Sequence, residues 1–326
     1  MELIRGIYNL RPRHHGCVVT IGNFDGVHLG HQAVLGQLSE KSAEMGLPAV
    51  LVTFEPHPQE FFARDTVPPR LTRFREKIQA LRRYAVDRVL CLTFDRQLAG
   101  MPAEDFISTV LIDGLGVRYL VVGDDFRFGH QRKGDLAMLK GAATHHDFQV
   151  INMHPFNVDD VRVSSTRIRK ALADGDLRGA EKLLGRSYRM SGRVVHGDQL
   201  GRTIGYPTAN IYLHRRATPL MGVYAVEVFG LDKEPLQGVA NIGMRPTVNG
   251  RTCLLEVHIF DFTQDIYGRH VQVEFVTKLR DEKRFESIDA LRQEIQRDER
   301  NAREYFAKQP LSRNHRLSSA SMIKQG

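Results

Sequence analysis

Two histidines three residues apart, His28 and His31, close the run Gly22-Asn23-Phe24-Asp25-Gly26-Val27-His28-Leu29-Gly30-His31 in a chain of 326 residues. The run follows the apolar residues Cys17 to Ile21, which read as a buried strand, and opens a stretch with helical spacing. A strand that ends in glycine and turns into a helix gathers free backbone N–H groups and the positive end of the helix dipole at one point, which suits an anion. Residues three apart share one side of a first helical turn, so both imidazoles can donate to phosphate oxygens, and Gly30 keeps the space between them open. An HxxH pair can also be two surface histidines or part of a zinc site. Here strand, glycines and helix start coincide and no third metal ligand lies nearby in sequence, so phosphate is the better reading.

A second segment, Ser164-Ser165-Thr166-Arg167-Ile168-Arg169, again precedes a helix. Its hydroxyls suit N-capping or phosphate contact, and Arg169 offers a fork-shaped anion ligand. A third stretch runs from Gly192 to Asn210, carries Gly197, Gly201 and Gly205, and ends in Pro207-Thr208-Ala209-Asn210. Glycines at that density make a flexible loop over a ligand. It is no P-loop, because three residues instead of four separate Gly197 from Gly201 and Arg202 stands in place of lysine.

These segments need elements to hold them. Cys17 to Ile21, Val50 to Phe54, Arg88 to Phe94, Tyr119 to Val122 and Gln149 to Met153 are short continuous apolar runs, each resembling a strand buried on both faces. Helical spacing fills the gaps: Leu29 to Met45, Thr72 to Tyr84, Ala103 to Leu111 and Gly134 to His146. The alternation predicts an α/β, Rossmann-like domain with a parallel sheet. After about residue 185 the pattern becomes antiparallel, with strict alternation in Gly222 to Phe229, Leu255 to Phe260 and Val271 to Val276 and glycine-rich turns between them. That predicts a small antiparallel β-barrel, followed by a helix over about Glu286 to Phe306. Short helices at Thr166 to Leu172 and Leu177 to Leu184, hinged at Asp174-Gly175-Asp176, put the domain boundary near Gly185. The expected domains are therefore 1–185 and 186–308, and 309–326, rich in Ser, Arg and Lys without periodicity, reads as a disordered basic tail.

Composition sets limits. Hydrophobic residues make up 42% of the chain, and no apolar run is long enough to cross a bilayer, so a cytoplasmic protein without a membrane partner is expected. Cys17, Cys91 and Cys253 are far apart in apolar runs and read as reduced packing residues. The net charge of +8 raises the question of nucleic acid. Its basic residues alternate with acids or apolar residues and lack interleaved aromatics, so none is expected as a partner.

The HxGH segment and Ser164 to Arg169 in one Rossmann-like domain resemble the nucleotidyltransferase superfamily, and within it the FMN adenylyltransferase half of bacterial FAD synthetases. The resemblance covers about residues 15 to 184 and takes in Thr53-Phe54-Glu55-Pro56-His57-Pro58 and Val122-Gly123-Asp124-Asp125-Phe126-Arg127-Phe128-Gly129. It implies nucleotide contacts at Gly22, Asn23, Phe24, Asp25, Gly30, Ser164, Ser165, Thr166 and Arg169, and flavin contacts at Pro56, His57, Asp125, Phe126 and Phe128, where the two phenylalanines serve equally as packing. The implied reaction is in-line attack of the FMN phosphate on the α-phosphate of ATP with loss of pyrophosphate, which asks the protein only to position and neutralise. His28 and His31 are the implied catalytic residues.

The glycine-rich stretch and its PTAN ending are similar to the riboflavin kinase family. That similarity implies ATP at Gly197, Gly201 and Gly205. In an extended segment Thr208 and Asn210 face one way and can offer neutral oxygens to Mg²⁺. A carboxylate must also accept the riboflavin 5′-hydroxyl proton, and Glu256, in Leu254-Leu255-Glu256-Val257-His258-Ile259, lies where the family places it. Asn241 to Thr247 and Asp265 to Gly268 fit the same pattern. The whole chain thus resembles bifunctional riboflavin kinase/FMN adenylyltransferases, with riboflavin, FMN, FAD and ATP as ligands. Two other classes share parts of this pattern: class I aminoacyl-tRNA synthetases, whose second signature loop is missing here, and nucleic-acid-binding barrels. A chain with one active half is the third alternative.

Overall fold

The computed structural model describes residues 1–308 except 63–66, 198–200, 202–204, 216 and 248–249. The expected tail, 309–326, and much of the glycine-rich loop, Arg202 included, lie outside the described residues. The chain divides into two compact units: Met1–Ala171 with Arg178–Arg186, and Leu172–Leu177 with Ser187 onward.

In the first unit six strands, β1 (Glu2–Arg5), β2 (Cys17–Ile21), β3 (Ala49–Glu55), β4 (Arg88–Thr93), β5 (Val117–Gly123) and β6 (Gln149–Met153), form one sheet in the order β1-β4-β3-β2-β5-β6. Every pairing is parallel. The inner strands read as unbroken apolar runs because both faces are covered: Cys17, Val19 and Ile21 enter one core with Leu120, and Val18 enters the opposite one with Leu35, Leu38 and Leu51. The chain runs from β2 outward through β3 and β4, then crosses back to lay β5 on the other side of β2. Helix α1 (Leu29–Met45) follows β2 directly. The predicted helix from Ala103 is two pieces, an α-turn at Ala103–Phe106 and a wider π-turn at Ile107–Gly114. Gly114 lets that wide turn close, since a Cβ there would stand 2.8 Å from the Thr109 carbonyl oxygen.

In the second unit β9 (Arg189–Val195), β10 (Ala209–Tyr212), β11 (Gly222–Phe229), β12 (Leu236–Thr247), β13 (Gly250–Ile259) and β14 (His270–Arg280) close an antiparallel barrel in the order β10-β13-β12-β11-β14-β9; β7 (Asn157–Val158) and β8 (Val161–Arg162) form a small hairpin in the first unit. Val223, Leu255, Val257, Val271, Val273 and Phe275 are buried in the barrel. The final helix, Ile288–Lys308, packs Ala302 and Phe306 against Ala225 and Phe260. Asp298 on that helix accepts from Arg280 Nη2 at 2.8 Å.

Candidate functional site

In open parallel sheets ligands bind at the carboxyl ends of strands where the strand order reverses. Here that point lies between β2 and β5. The loops that leave those strands, 22–28 and 123–129, line a cavity of about 900 Å³ that also takes in His31, Phe54, Phe62, Phe94, Ser164 and Ser165.

The loop after β2 is held from outside. Phe24 and Val27 adopt left-handed backbone at φ 48 and 43, a strained state for non-glycine residues and costliest for a β-branched one. Its carbonyls are satisfied by tertiary donors: Arg186 Nη2 to Gly26 O at 2.7 Å, Gln32 Nε2 to Val27 O at 2.9 Å and Ser165 Oγ to Asp25 O at 2.9 Å. Gly26 N donates to Thr72 Oγ1 at 2.9 Å. The strain persists because these bonds over-determine the loop.

His28 is the N-cap of α1, and its Nδ1 accepts from the His31 backbone N–H at 3.3 Å. That acceptor role puts the proton of the neutral ring on Nε2. The two imidazoles stack, with centroids 3.6 Å apart and planes at 14°. A Cβ on Gly30 would press on the His28 ring at 3.3 Å, so glycine keeps this face clear. Burial drives His28 down to about 4, against the pull of Asp25, and drives His31 well below the ordinary range, with His28 and Lys77 adding to the effect. Both rings are neutral near pH 7. His31 Nδ1 and Asn23 Oδ1 are buried and have no hydrogen-bond partner among the described residues.

Burial, as the largest effect, also takes His57 to about 4. For a base whose folded pKa lies below its unfolded one, stability is complete above the unfolded value and is lost as pH falls through the folded one. The melting temperature of the first unit should therefore hold above pH 6.5 and decline from there toward about pH 4. A His28→Gln/His57→Gln protein should show a shallower decline in calorimetry across that interval; an unchanged slope would count against the assignment.

The expected nucleotide residues do not all meet at the cavity. Gly22, Asn23, Phe24, His28, Gly30, His31, Ser164 and Ser165 line it. Ser164 Oγ also caps the next helix by accepting from Arg167 N at 3.3 Å. Thr166 is exposed and away from the cavity lining. Asp25 is buried and accepts from Leu71 N at 3.1 Å, Thr72 N at 2.9 Å and Arg169 Nη2 at 2.7 Å. Burial raises its pKa, but the Thr72 and Leu71 amides and Arg169 outweigh that and hold it below the usual carboxylate range. Arg169 also donates from Nε to Pro69 O at 2.8 Å, so its fork braces Asp25 and the chain before Thr72. Of the expected flavin residues, Asp125, Phe126 and Phe128 line the cavity, while Pro56 and His57 stand outside its lining. Phe128 is buried and stacks on Phe126 at 5.5 Å, so packing is part of its role.

Three residues that hold this site escaped the sequence reading. Arg186 falls just past the expected boundary yet bonds Gly26 and Val27. Thr72 links Gly26 to Asp25. Lys77 is buried and donates to Thr53 Oγ1 at 3.2 Å. A signal existed for Lys77: it shares a helical face with Phe74, Ile78 and Leu81 and so sits on an apolar stripe.

In the barrel, Glu256 pairs in register with Asn210 on one side and Asn241 on the other. Its neighbours Leu255 and Val257 are buried in the barrel, which puts Glu256 on the outer face beside those two amides. The described ends of the glycine loop fold onto the same place. A Cβ on Gly197 would stand 2.2 Å from Asn210 Nδ2, and one on Gly201 would meet Tyr206 O at 2.3 Å and Thr208 Oγ1 at 3.4 Å. Gly205 has φ +87, a conformation that favours glycine. His258, two residues beyond Glu256, donates from Nδ1 to Pro207 O at 2.9 Å and fixes the start of the PTAN segment.

A parallel sheet with a capped, glycine-lined loop at its switch point is a nucleotide-handling α/β unit, and the second unit is a closed barrel with its own glycine loop. A family model described as FAD synthetase matches residues 10–167, and one described as riboflavin kinase matches 184–306. The bifunctional riboflavin kinase/FMN adenylyltransferase of Escherichia coli K12 is 53% identical over 307 residues, covering 94% of this chain and 98% of that protein. Its Haemophilus influenzae counterpart is 50% identical over 306 residues, 94% of this chain and 99% of that one. A crystal structure from Streptococcus pneumoniae, described as a macrolide-efflux protein, superimposes with a TM-score of 0.79 at 34% identity over 93% of this chain and 99% of its own. Efflux is said of that protein; among the described residues here no helix is long and apolar enough to cross a membrane. The chain belongs to the bifunctional riboflavin kinase/FMN adenylyltransferase family.

Proposed function

We propose that the chain phosphorylates riboflavin to FMN in its barrel domain, 186–308, and adenylylates FMN to FAD in its parallel-sheet domain, 1–185, with ATP as co-substrate of both steps. The observation that carries the adenylyl assignment is the stacked His28–His31 pair at the start of α1, opening on the cavity with a buried, unpartnered ring nitrogen.

In the adenylyl step an oxygen of the FMN phosphate bonds to the α-phosphorus of ATP as the bond to pyrophosphate breaks. The attacking group is already an anion, so no base is required. Neutral His28, with its proton on Nε2, and His31 act as hydrogen-bond donors to the phosphate oxygens while the loop amides hold the chain of phosphates. In the kinase step Glu256 accepts the proton of the riboflavin 5′-hydroxyl as its oxygen attacks the γ-phosphorus and ADP leaves.

Thr208 and Asn210 fit Mg²⁺ by donor chemistry: a hydroxyl and an amide offer hard neutral oxygens, and Asn210 is buried with Gly197 close against it. With only these two neutral oxygens named from the chain, nucleotide phosphates would supply the negative charge of the ligand set. Bound there, Mg²⁺ would neutralise the β- and γ-phosphates. The cytoplasm is the proposed location, and the three buried, unbridged cysteines support it.

The purified protein should convert riboflavin to FMN and then FAD when given ATP and Mg²⁺, followed by chromatography over time, and should convert supplied FMN to FAD. FAD from supplied FMN alone would leave the barrel inactive; FMN without FAD would leave the sheet domain inactive. Turnover in neither assay would defeat the reading.

A further inference from the structure

Lys77 carries its amine inside the core of the first unit. It lies on the helix Phe74–Leu81 with 3% of its surface exposed, and among the described residues Nζ has one hydrogen bond, to Thr53 Oγ1, and no ion pair. Buried lysines are rare and costly unless paired, so one that keeps only a neutral partner needs a reason. The Thr53 hydroxyl in turn donates to Asn23 O at 3.4 Å. Asn23 belongs to the phosphate loop, lines the cavity and has a buried, unpartnered Oδ1. A continuous line thus runs from Lys77 through Thr53 to the loop that begins the adenylyl site.

The groups that face this ammonium come from every element around it. Asp25 on the loop after β2, Glu55 on β3 and Cys91 on β4 favour its charge, while Arg70 opposes it. Burial is the largest influence and pushes the ammonium below the ordinary lysine range. Its field reaches His57 and His31, both of which it pushes toward neutrality.

We propose that Lys77 is a positioning residue of adenylyl transfer, a buried cation beneath the phosphate loop that sets the loop through Thr53 and sets the electrostatic field at His31. The proposal rests on the assignment of His28 and His31 to the phosphates of ATP. Lys77 touches no substrate. It adds to the burial that keeps His31 neutral and adds positive potential on the side of the loop where the polyphosphate settles. A hydrophobic residue of the same length would fill the space and supply neither.

The test uses the full chain, and the melting transition of the first unit, followed by calorimetry and required to stay in place, reports on the folding of the unit that holds Lys77 and Thr53. Lys77→Met should leave FMN formation from riboflavin near its normal rate while FAD formation from FMN falls by up to about 10²-fold, the loss that a displacement of about 1 Å in an aligned group brings. The His31 ring, followed by ¹⁵N chemical shift in histidine-labelled protein and assigned by its loss in His31→Ala, should titrate at higher pH in Lys77→Met. Thr53→Val cuts the link but keeps the charge, so it should slow FAD formation and leave the His31 midpoint in place. An unmoved His31 midpoint in Lys77→Met, unimpaired FAD formation in either variant, or equal loss of both activities in Thr53→Val overturns the proposal. Should His31→Ala itself make FAD at the normal rate, the phosphate assignment falls; should it be impaired while Lys77→Met is normal, only the role of Lys77 falls.

Discussion

Glu256→Gln should lower FMN formation from riboflavin by roughly 10² to 10⁴-fold, the usual contribution of a positioned base, while FAD formation from supplied FMN stays within about twofold of normal. Glutamine keeps the shape and the place opposite Asn210 and Asn241 but cannot take a proton. The side chain stands on the outer face of β13 and not among the packed residues of the barrel, so stability should change little. The selectivity matters more than the size of the loss. The parallel-sheet unit carries its own loop, histidines and cavity, none of which includes a barrel residue. Parallel loss of both activities would show that the two reactions share machinery and would overturn the assignment of one reaction to each domain. A Glu256→Gln protein that makes FMN normally would remove Glu256 from the chemistry and leave the base to be sought elsewhere on that face.

The fold was most legible where burial on both faces left one reading. Cys17 to Ile21 and Gln149 to Met153 were read with their observed bounds, as was helix α1, because apolar runs and helical spacing are the direct imprint of a covered sheet and its covering helix. Elements defined by their partners escaped. β1 is a short edge strand with charged ends that exists by pairing to β4. β12 contains Gly238, Gly243 and Pro246, a composition that argues against a strand. It forms because β11 and β13 flank it on both sides, and Gly238 is needed where a Cβ would stand 2.4 Å from the His258 carbonyl oxygen.

The site was legible in its motifs and illegible in its supports. His28, Gly30 and His31 were read together as one loop, and they do line one cavity at the start of α1, because glycines and a helix start are local features. The bonds that hold the loop come from Thr72, Ser165 and Arg186, far along the chain, and no local pattern announces them. Arg169 shows the opposite hazard. Read locally it is a free anion ligand, but folding brings it against the buried carboxylate of Asp25, and its donors go there and to Pro69. Residue type told what chemistry was available; only the fold shows which groups are already engaged.

His31→Ala should slow FAD formation from FMN by about 10² to 10³-fold, the loss that follows removal of one preorganised donor to a transition-state oxygen, and should leave FMN formation intact. The effect should fall on kcat more than on KM for ATP, because the loop amides and the start of α1 still bind the phosphates while the donor that strengthens with developing charge is gone. His31 has the geometry for that role: it stacks on His28 at 3.6 Å, lines the cavity and carries a buried nitrogen without a partner among the described residues. Its neutrality favours the same view, since burial and the nearby charge of Lys77 disfavour an imidazolium whereas a neutral ring brings an N–H at no such cost. His31→Gln, which retains a donor of similar reach, should recover part of the lost kcat. Recovery by glutamine with none by alanine would identify donation as the function; equal loss in both would point to the stacked ring itself as the support for His28, and an unimpaired alanine variant would remove His31 from adenylyl transfer.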